Sequence, residues 1–331
     1  MLPLEPDPNA KPPSPTGTSY ALSTGGPHPT HAGRVPGRRA PALRALALAG
    51  AVLASACGGS SPSSPDPQPI AVPRPQVLVI SVDGLRGDVA ANAAPNIAAL
   101  AARGSYTWQA ETVLPSVTLT SHASMLSGLT PARHGVIWNN DEPGRGTIGV
   151  PTIFALARAA GLRTALIAGK SKFGHLNQPG SLTTFTITHG GDGEIAELAA
   201  AEVAGGTDLV FAHLPDTDMC GHRTRWMSAD YMATVRRADE AVGLLIASAG
   251  PHTTVIVTSD HGGRDRDHGS ADPAHLRIPW VMAGPKVRAG ALATRVRTFD
   301  TAATVARVLG LPSAGMDGQP VGEAFAAVLA R

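Results

Sequence analysis

The sequence predicts an α/β fold: a mostly parallel central sheet with helices packed on both faces. Three observations carry that expectation. Near-continuous apolar runs at 76–83, 163–169, 208–215, 253–260 and 278–284 look like strands buried on both sides. Between them fall stretches with apolar residues at helical spacing, and strands alternating with helices build parallel sheets. Ionisable residues then collect just beyond three of the runs, at the carboxyl ends of strands where open α/β sheets hold their ligands.

Taken in order, QVLVISVD opens the body between Pro75 and Gly84, and PNIAALAARG near residue 95 follows with helical spacing. PTIFALARAAG near 151 leads into RTALIAG, and EIAELAAAEVA near 194 leads into DLVFAHLP. A long helical pattern over 229–248 precedes TTVIVTSD. IPWVMAG supplies the fifth strand, and DTAATVARVLG near 300 the last helix. No internal repeat interrupts the series.

With 331 residues, 43% hydrophobic and 16% charged, the chain has material for a sizeable core and lacks the signature of general disorder. Much of the load of 37 Gly and 29 Pro sits in the first 75 residues, which separates a tail from a body. Cys57 and Cys220 are the two cysteines, too few for a multi-bridge framework. Setting aside the five basic and two acidic residues of 1–56 leaves 22 basic and 23 acidic residues. A near-neutral body carries no electrostatic footprint for nucleic acid as a sequence-specific partner.

In the tail, Arg38, Arg39 and Arg44 stand ahead of an apolar run at 45–56, the layout of a secretory signal. At 12 residues the run is too short to span a bilayer. Its end, LASAC before GGSS, resembles the lipobox of bacterial lipoproteins and implies lipidation of Cys57. The Pro-, Gly-, Ser- and Thr-rich residues 1–34 sit oddly before a signal. They are expected to be untranslated, with a start at Val35. GGSSPSSPDPQPIAVPRP reads as a flexible to polyproline-like spacer. The expected organisation is a leader at 1–56, a tether at 57–75 and one catalytic domain at 76–331. The expected location is the cell envelope, exported and lipid-anchored, facing the periplasm or exterior.

Asp83-Gly84 follows the first strand, Asp218-Met-Cys-Gly-His222 the third, and Asp260-His261-Gly-Gly the fourth, with His268 close behind. Singly these are weak signals, since Asp and Gly suit tight turns. Together they put three carboxylates and three imidazoles in one zone, an N and O donor set that zinc accepts. Adjacent Asp260 and His261 point in different directions and suit two separate ions better than one. Two divalent ions against three carboxylates leave roughly +1, which favours an anionic substrate.

The segment LPSVTLTSHASMLSGLTPARHGVIWNN, residues 114–140, crowds hydroxyls at Ser116, Thr118, Thr120 and Ser121 before a helical pattern that opens after His122. A hydroxyl ahead of a helix N-terminus has free N–H groups and the positive dipole end beside it. The plainer reading is a Ser/Thr cap. With VDG at Asp83, D-x-x-G-H at Asp218 and SDHG at Ser259, however, the segment resembles the alkaline phosphatase superfamily, closest to its nucleotide pyrophosphatase and type I phosphodiesterase branch. The likeness spans about 77–321 with its motifs in family order.

The resemblance implies an alkaline-phosphatase-like three-layer α/β/α fold and a two-zinc hydrolase of small phosphate-containing substrates, diesters or nucleotide pyrophosphates. It further implies Thr118 as nucleophile and metal contact, and Asn139 as a phosphate-oxygen holder. Asp83, Asp260 and His261 would make one metal site, and Asp218, His222 and a later histidine the other. That histidine often lies far downstream in the family, yet no His follows His275 here. The compact arrangement implies His268, with His275 the weaker candidate. Lys170 and Lys172 resemble a lysine pair that, in relatives including phosphonoacetate hydrolases, faces the substrate's charged end.

Sulfatases of the same superfamily carry a Cys where Thr118 stands, and neither Cys57 nor Cys220 serves that role. Two rivals remain: a phosphonate or monoester hydrolase on the same site, and a non-catalytic, tethered metal- or ligand-binding lipoprotein. Trp138, Phe173 and Trp226 are candidates either for stacking on a nucleobase or for the core.

Overall fold

A computed structural model describes residues 74–326. The expected leader, Cys57 and nearly all of the tether lie outside the described residues. The described residues contain eight strands: β1 (Gln76–Val82), β2 (Ser105–Glu111), β3 (Thr164–Ala168), β4 (Thr184–Ile187), β5 (Leu209–Leu214), β6 (Thr253–Thr258), β7 (Arg277–Ala283) and β8 (Gly290–Ala291). They form one sheet in the order β4-β3-β5-β1-β6-β7-β2-β8. β1 lies at the centre, with Val79 opposite Phe211 on one side and Ile256 on the other, both pairings parallel.

β7 is the reversed strand, antiparallel to both β6 and β2. The sequence pattern groups it with the parallel strands because a run buried on both faces looks the same in either direction. The connection from β6 explains the reversal. Residues 259–276 stay at the end of the sheet where β6 stops, carry three of the expected ligands (Asp260, His261 and His268), and include only a four-residue helix. The chain therefore re-enters the sheet from that same end.

Alternation along β1 builds two cores. Leu78, Ile80 and Val82 face one layer, containing α1 (Gly87–Ala93), α2 (Pro95–Ala102) and two later helices over 191–204 and 229–248. Val77 and Val79 face the other, containing α3 (Thr118–Ser127), α5 (Ile153–Ala159) and α10 (Asp300–Leu309). The short α4 (Pro131–His134) follows α3, and α9 (Pro273–Leu276) precedes β7. α6 (Gly191–Ala204) buries Ile195, Ala199 and Val203, spaced four apart, as a helix with one apolar face requires. α8 (Ala229–Ser248) begins with Ser228 accepting a hydrogen bond from Tyr231 N–H, a cap of the expected kind.

α7 (Asp216–Thr224) is mostly polar, with Cys220 its one residue in the apolar core, and holds Asp218 and His222, a segment without a helical apolar pattern. β2 and β4 also lack a strand signal in the sequence. β2 is half-buried and mixed in pattern, and β4 has four residues, none fully buried. Among the described residues no helix is long and apolar enough to cross a membrane.

Candidate active site

Asp83, Asp218, Asp260, His261 and His268 converge beyond the carboxyl ends of β1, β5 and β6. Asp83 directly follows β1, and Gly84 turns the chain with φ +73°, a conformation that favours glycine. A Cβ on Gly84 would also meet Asp218 Cα at 3.0 Å, so the Asp-Gly pair is both a turn and a packing requirement. Asp260 Oδ1 accepts from Gly84 N–H at 3.1 Å and from His261 N–H at 3.0 Å. Ser259 Oγ accepts from Leu85 N–H and donates to His261 O. These bonds stitch the end of β6 to the end of β1.

α7 places Asp218 and His222 four residues apart on one face. Gly221 lets that helix approach Trp226, since a Cβ there would sit 2.7 Å from the indole ring. Trp226 Nε1 and Tyr231 Oη both donate to Gly84 O. Trp226 and Phe173 are buried core residues, whereas Trp138 is half-buried under the Arg145 guanidinium at 4.7 Å.

Three imidazoles share one orientation. Nδ1 of His222 donates to Arg266 O, that of His268 to Ser116 O and that of His261 to Gly262 O, all at 2.9 Å. Each bond sets the tautomer and leaves Nε2 as the free lone pair. His261 Nε2 lies 3.5 Å from Asp83 Oδ1 and 3.3 Å from Asp260 Oδ2. Asp218 Oδ1 lies 3.4 Å from His222 Nε2 and 3.6 Å from His268 Nε2, and those two nitrogens are 3.1 Å apart.

Asp83 Oδ1, Asp218 Oδ1 and Asp260 Oδ2 are buried and have no hydrogen-bond partner. Buried unsatisfied carboxylate oxygens beside unprotonated imidazole nitrogens fit divalent cations bound through N and O. Asp83, Asp260 and His261 form one candidate metal group, and Asp218, His261 and His268 another. His222 reaches the second through its distances to Asp218 and His268, and His261 stands between the two.

Burial works against all three carboxylates. At Asp83 the Lys170 ammonium, with His213 and His261, overcomes burial and holds the group well below the usual range. Asp218 is lowered against burial and the nearby Asp83, chiefly by Lys170. Asp260, with no direct cation, is pushed well above the usual range by burial and Asp83. Burial and the neighbouring His261 bring His268 down to about 4.

Thr118 is the first residue of α3 and is buried. Its Oγ1 lies 3.5 Å from His261 Nε2 and 3.4 Å from Lys170 Nζ. The helix thus begins ahead of His122, earlier than its apolar pattern indicates, and the cap residue is Val117 with no side-chain bond, so no hydroxyl in the segment acts as N-cap. Ser116 Oγ donates to Ser270 O, and Thr120 Oγ1 is buried without a partner.

Asn139 Oδ1 accepts from Leu119 N–H at 3.0 Å, at the open end of α3. Lys172 is half-buried, its ammonium lowered by burial and by Lys170. His275 stays out of both groups, its Nδ1 accepting from Ser270 Oγ at 2.9 Å.

Sequence reasoning passed over His213 and His122. His213 Nε2 donates to Asp83 Oδ2 at 2.8 Å. His122 accepts from Ser81 Oγ and donates to Thr118 O. A histidine inside the apolar run DLVFAHLP is the available signal for His213. His122 carries no comparable signal, being one more polar residue in a hydroxyl-rich stretch.

A sequence model described as type I phosphodiesterase / nucleotide pyrophosphatase matches residues 77–272. A pyrophosphatase/phosphodiesterase of Schizosaccharomyces pombe, described as uncharacterized, is 26% identical over 215 residues, covering 56% of this chain and 44% of that one. The phosphopentomutase of Symbiobacterium thermophilum is 34% identical over 120 residues, 36% of this chain and 28% of the enzyme. The chain therefore spans less than half the length of these curated relatives. Among solved structures, an inactive variant of murine ectonucleotide pyrophosphatase/phosphodiesterase 5 in complex with AMP superposes with a TM-score of 0.65 at 15% identity, covering 76% of this chain and all of that one. That likeness is one of fold.

Proposed function

The chain belongs to the type I phosphodiesterase/nucleotide pyrophosphatase family, and from that premise we propose that it hydrolyses phosphodiester or nucleotide pyrophosphate bonds with Thr118 as nucleophile. The observation that carries this reading is that Thr118 Oγ1 lies 3.5 Å from Nε2 of His261, the residue common to two candidate metal groups whose carboxylate oxygens Asp83 Oδ1, Asp218 Oδ1 and Asp260 Oδ2 are left without hydrogen-bond partners. Asp83, Asp260 and His261 would hold one divalent cation, and Asp218, His222 and His268 the other, zinc by the mixed donor set. When bound, such ions supply Lewis acidity and neutralise charge on a phosphoryl group.

The protein's own residues account for the remainder. Thr118 Oγ attacks phosphorus, the leaving alcohol or phosphate departs, and water then releases the phosphoryl group from the threonine. The first N–H groups of α3 and its dipole favour the anionic phosphoryl group at that position. Asn139, its Oδ1 taken by Leu119 N–H, keeps its amide N–H groups for a phosphate oxygen. Lys170 has one donor beside Thr118 Oγ1, and Lys172 is the lysine to meet the substrate's charged end. AMP in the murine relative makes nucleotides the substrates to try first.

Zinc-loaded protein should turn over bis-p-nitrophenyl phosphate and a dinucleoside pyrophosphate, and exhaustive chelation should stop both reactions. Activity surviving chelation would reject the metal assignment. A faster rate on a monoester or on phosphonoacetate would favour the rival reading on the same site. No turnover of any of these would leave a binding lipoprotein. The signal-like segment and LASAC support an exported chain anchored through lipid on Cys57.

A further inference from the structure

Lys170 lies where the two candidate metal groups meet. Its Nζ is 2.6 Å from Asp83 Oδ2 and 2.6 Å from Asp218 Oδ2, one carboxylate from each group. It reaches them from the residue pair after β3, because β3 lies beside β5 and β5 beside β1. The oxygens it engages are not those left open. Asp83 Oδ1 and Asp218 Oδ1 have no hydrogen bond and face the Nε2 atoms of His261 and of His222 and His268. An ammonium offers three donors and no acceptor, so the lysine determines which oxygen each carboxylate presents to a ligand. The side chain is 15% exposed, and so little water screens its charge. Among the described residues no other Lys or Arg pairs with Asp83, Asp218 or Asp260.

We propose that Lys170 is a permanent cation of the site, shared by both metal groups, which holds their carboxylates together before metal binds and weakens metal binding afterwards. The first half concerns the metal-free protein alone; the second rests on the metal reading proposed above. Three buried carboxylates repel one another when no cation stands among them, and the ammonium removes about one of those charges. Once two divalent ions are bound, the same ammonium raises the local charge from about +1 to about +2 and repels them at a few ångströms. The site is thus assembled in advance at a cost in affinity.

Thermal unfolding of the full chain and of Lys170→Met, each with zinc and after exhaustive chelation, separates these effects. The chelated Met variant should unfold several degrees below the chelated parent, while the zinc-loaded pair differs far less. In competition with a chromophoric chelator, the Met variant should bind zinc at least about tenfold more tightly. Lys170→Met combined with Asp218→Asn removes one charge of each sign and should recover most of the chelated stability. That double variant decides the matter even where the single one cannot be kept folded without metal.

Equal losses of stability with and without zinc, or a double variant no more stable than the single one, would overturn the first half. Weaker zinc binding by the Met variant would overturn the second. A parent that binds no zinc overturns the metal reading and the second half together, and the chelated comparison still decides the first.

Discussion

His213 Nε2 donates to Asp83 Oδ2 across 2.8 Å, so a histidine inside a buried strand orients the carboxylate that follows the neighbouring strand. The pairing of Ser81 with His213 in adjacent strands brings the two side chains together. His213 Nδ1 accepts from Gly169 N–H at 3.4 Å, which leaves Nε2 as the proton-bearing nitrogen.

His213→Phe should keep the ring volume among Phe173, Phe211 and His122 while removing the donor. Lost partners of metal ligands typically cost about 10- to 100-fold in metal affinity or activity. A loss in that range, read by zinc titration and diester turnover, is expected. Unchanged values would show that Lys170 alone suffices to orient Asp83.

Thr118→Ala should lower turnover by several orders of magnitude with the fold intact, and Thr118→Ser should retain a measurable fraction. Ser116→Ala should cost about 1 kcal/mol, the worth of its bond to Ser270 O. Thr120→Val should be neutral or stabilising, because its buried hydroxyl has no partner to lose. An acid-quenched phosphoryl group should map to the peptide containing Thr118. Trapping on Ser116 would move the nucleophile.

Replacing His268 should cost far more activity than replacing His275. His268 Nε2 faces Asp218 Oδ1 and His222 Nε2, whereas His275 is bonded to Ser270. Parallel kinetics and metal content of the two alanine variants give the ranking, and the reverse order would reject the assignment.

At the starts of α6 and α7 a carboxylate oxygen of Asp216 accepts from Asp192 N–H and one of Asp192 accepts from Asp216 N–H, and burial plus the Asp216 charge push Asp192 up to about 8. The folded carboxyl keeps its proton where the unfolded one has lost it. Its contribution to stability is therefore full below pH 4 and declines as pH rises towards 8. Asp192→Asn should raise the melting temperature at pH 8 and have progressively less effect towards pH 4, measured by unfolding scans across that range. A pH-independent difference would contradict the shift.

Cys57→Ser in the full precursor should release the protein from membranes in a carbonate wash, since lipid on that residue is the expected anchor. Replacing Cys220, which is buried, should have no such effect. Retention of the Cys57 variant on washed membranes would reject the anchor.

Much of the fold was legible. The 229–248 pattern coincides with α8, and β1 begins at Gln76, where the Pro-rich stretch ends. Both depend on apolar spacing, a property of consecutive residues. β2 was not legible because its side chains are partly exposed and follow no simple alternation. α7 was missed because its character is set by Asp218, His222 and the Gly221 contact with Trp226, and not by an apolar face.

By itself the sequence determined strands β1, β3, β5, β6 and β7 and helices α2, α5, α6, α8 and α10, the residue types able to bind metal, and their places after β1, β5 and β6. Only the tertiary structure decided which atoms meet. It put His268 and not His275 beside Asp218, brought His213 to Asp83, and set one lysine between two carboxylates. Those relations depend on the strand order β3-β5-β1-β6 and on distances between side chains far apart in the chain. Local spacing dictates the conformation of a segment, but the packing of segments around the shared core dictates their neighbours.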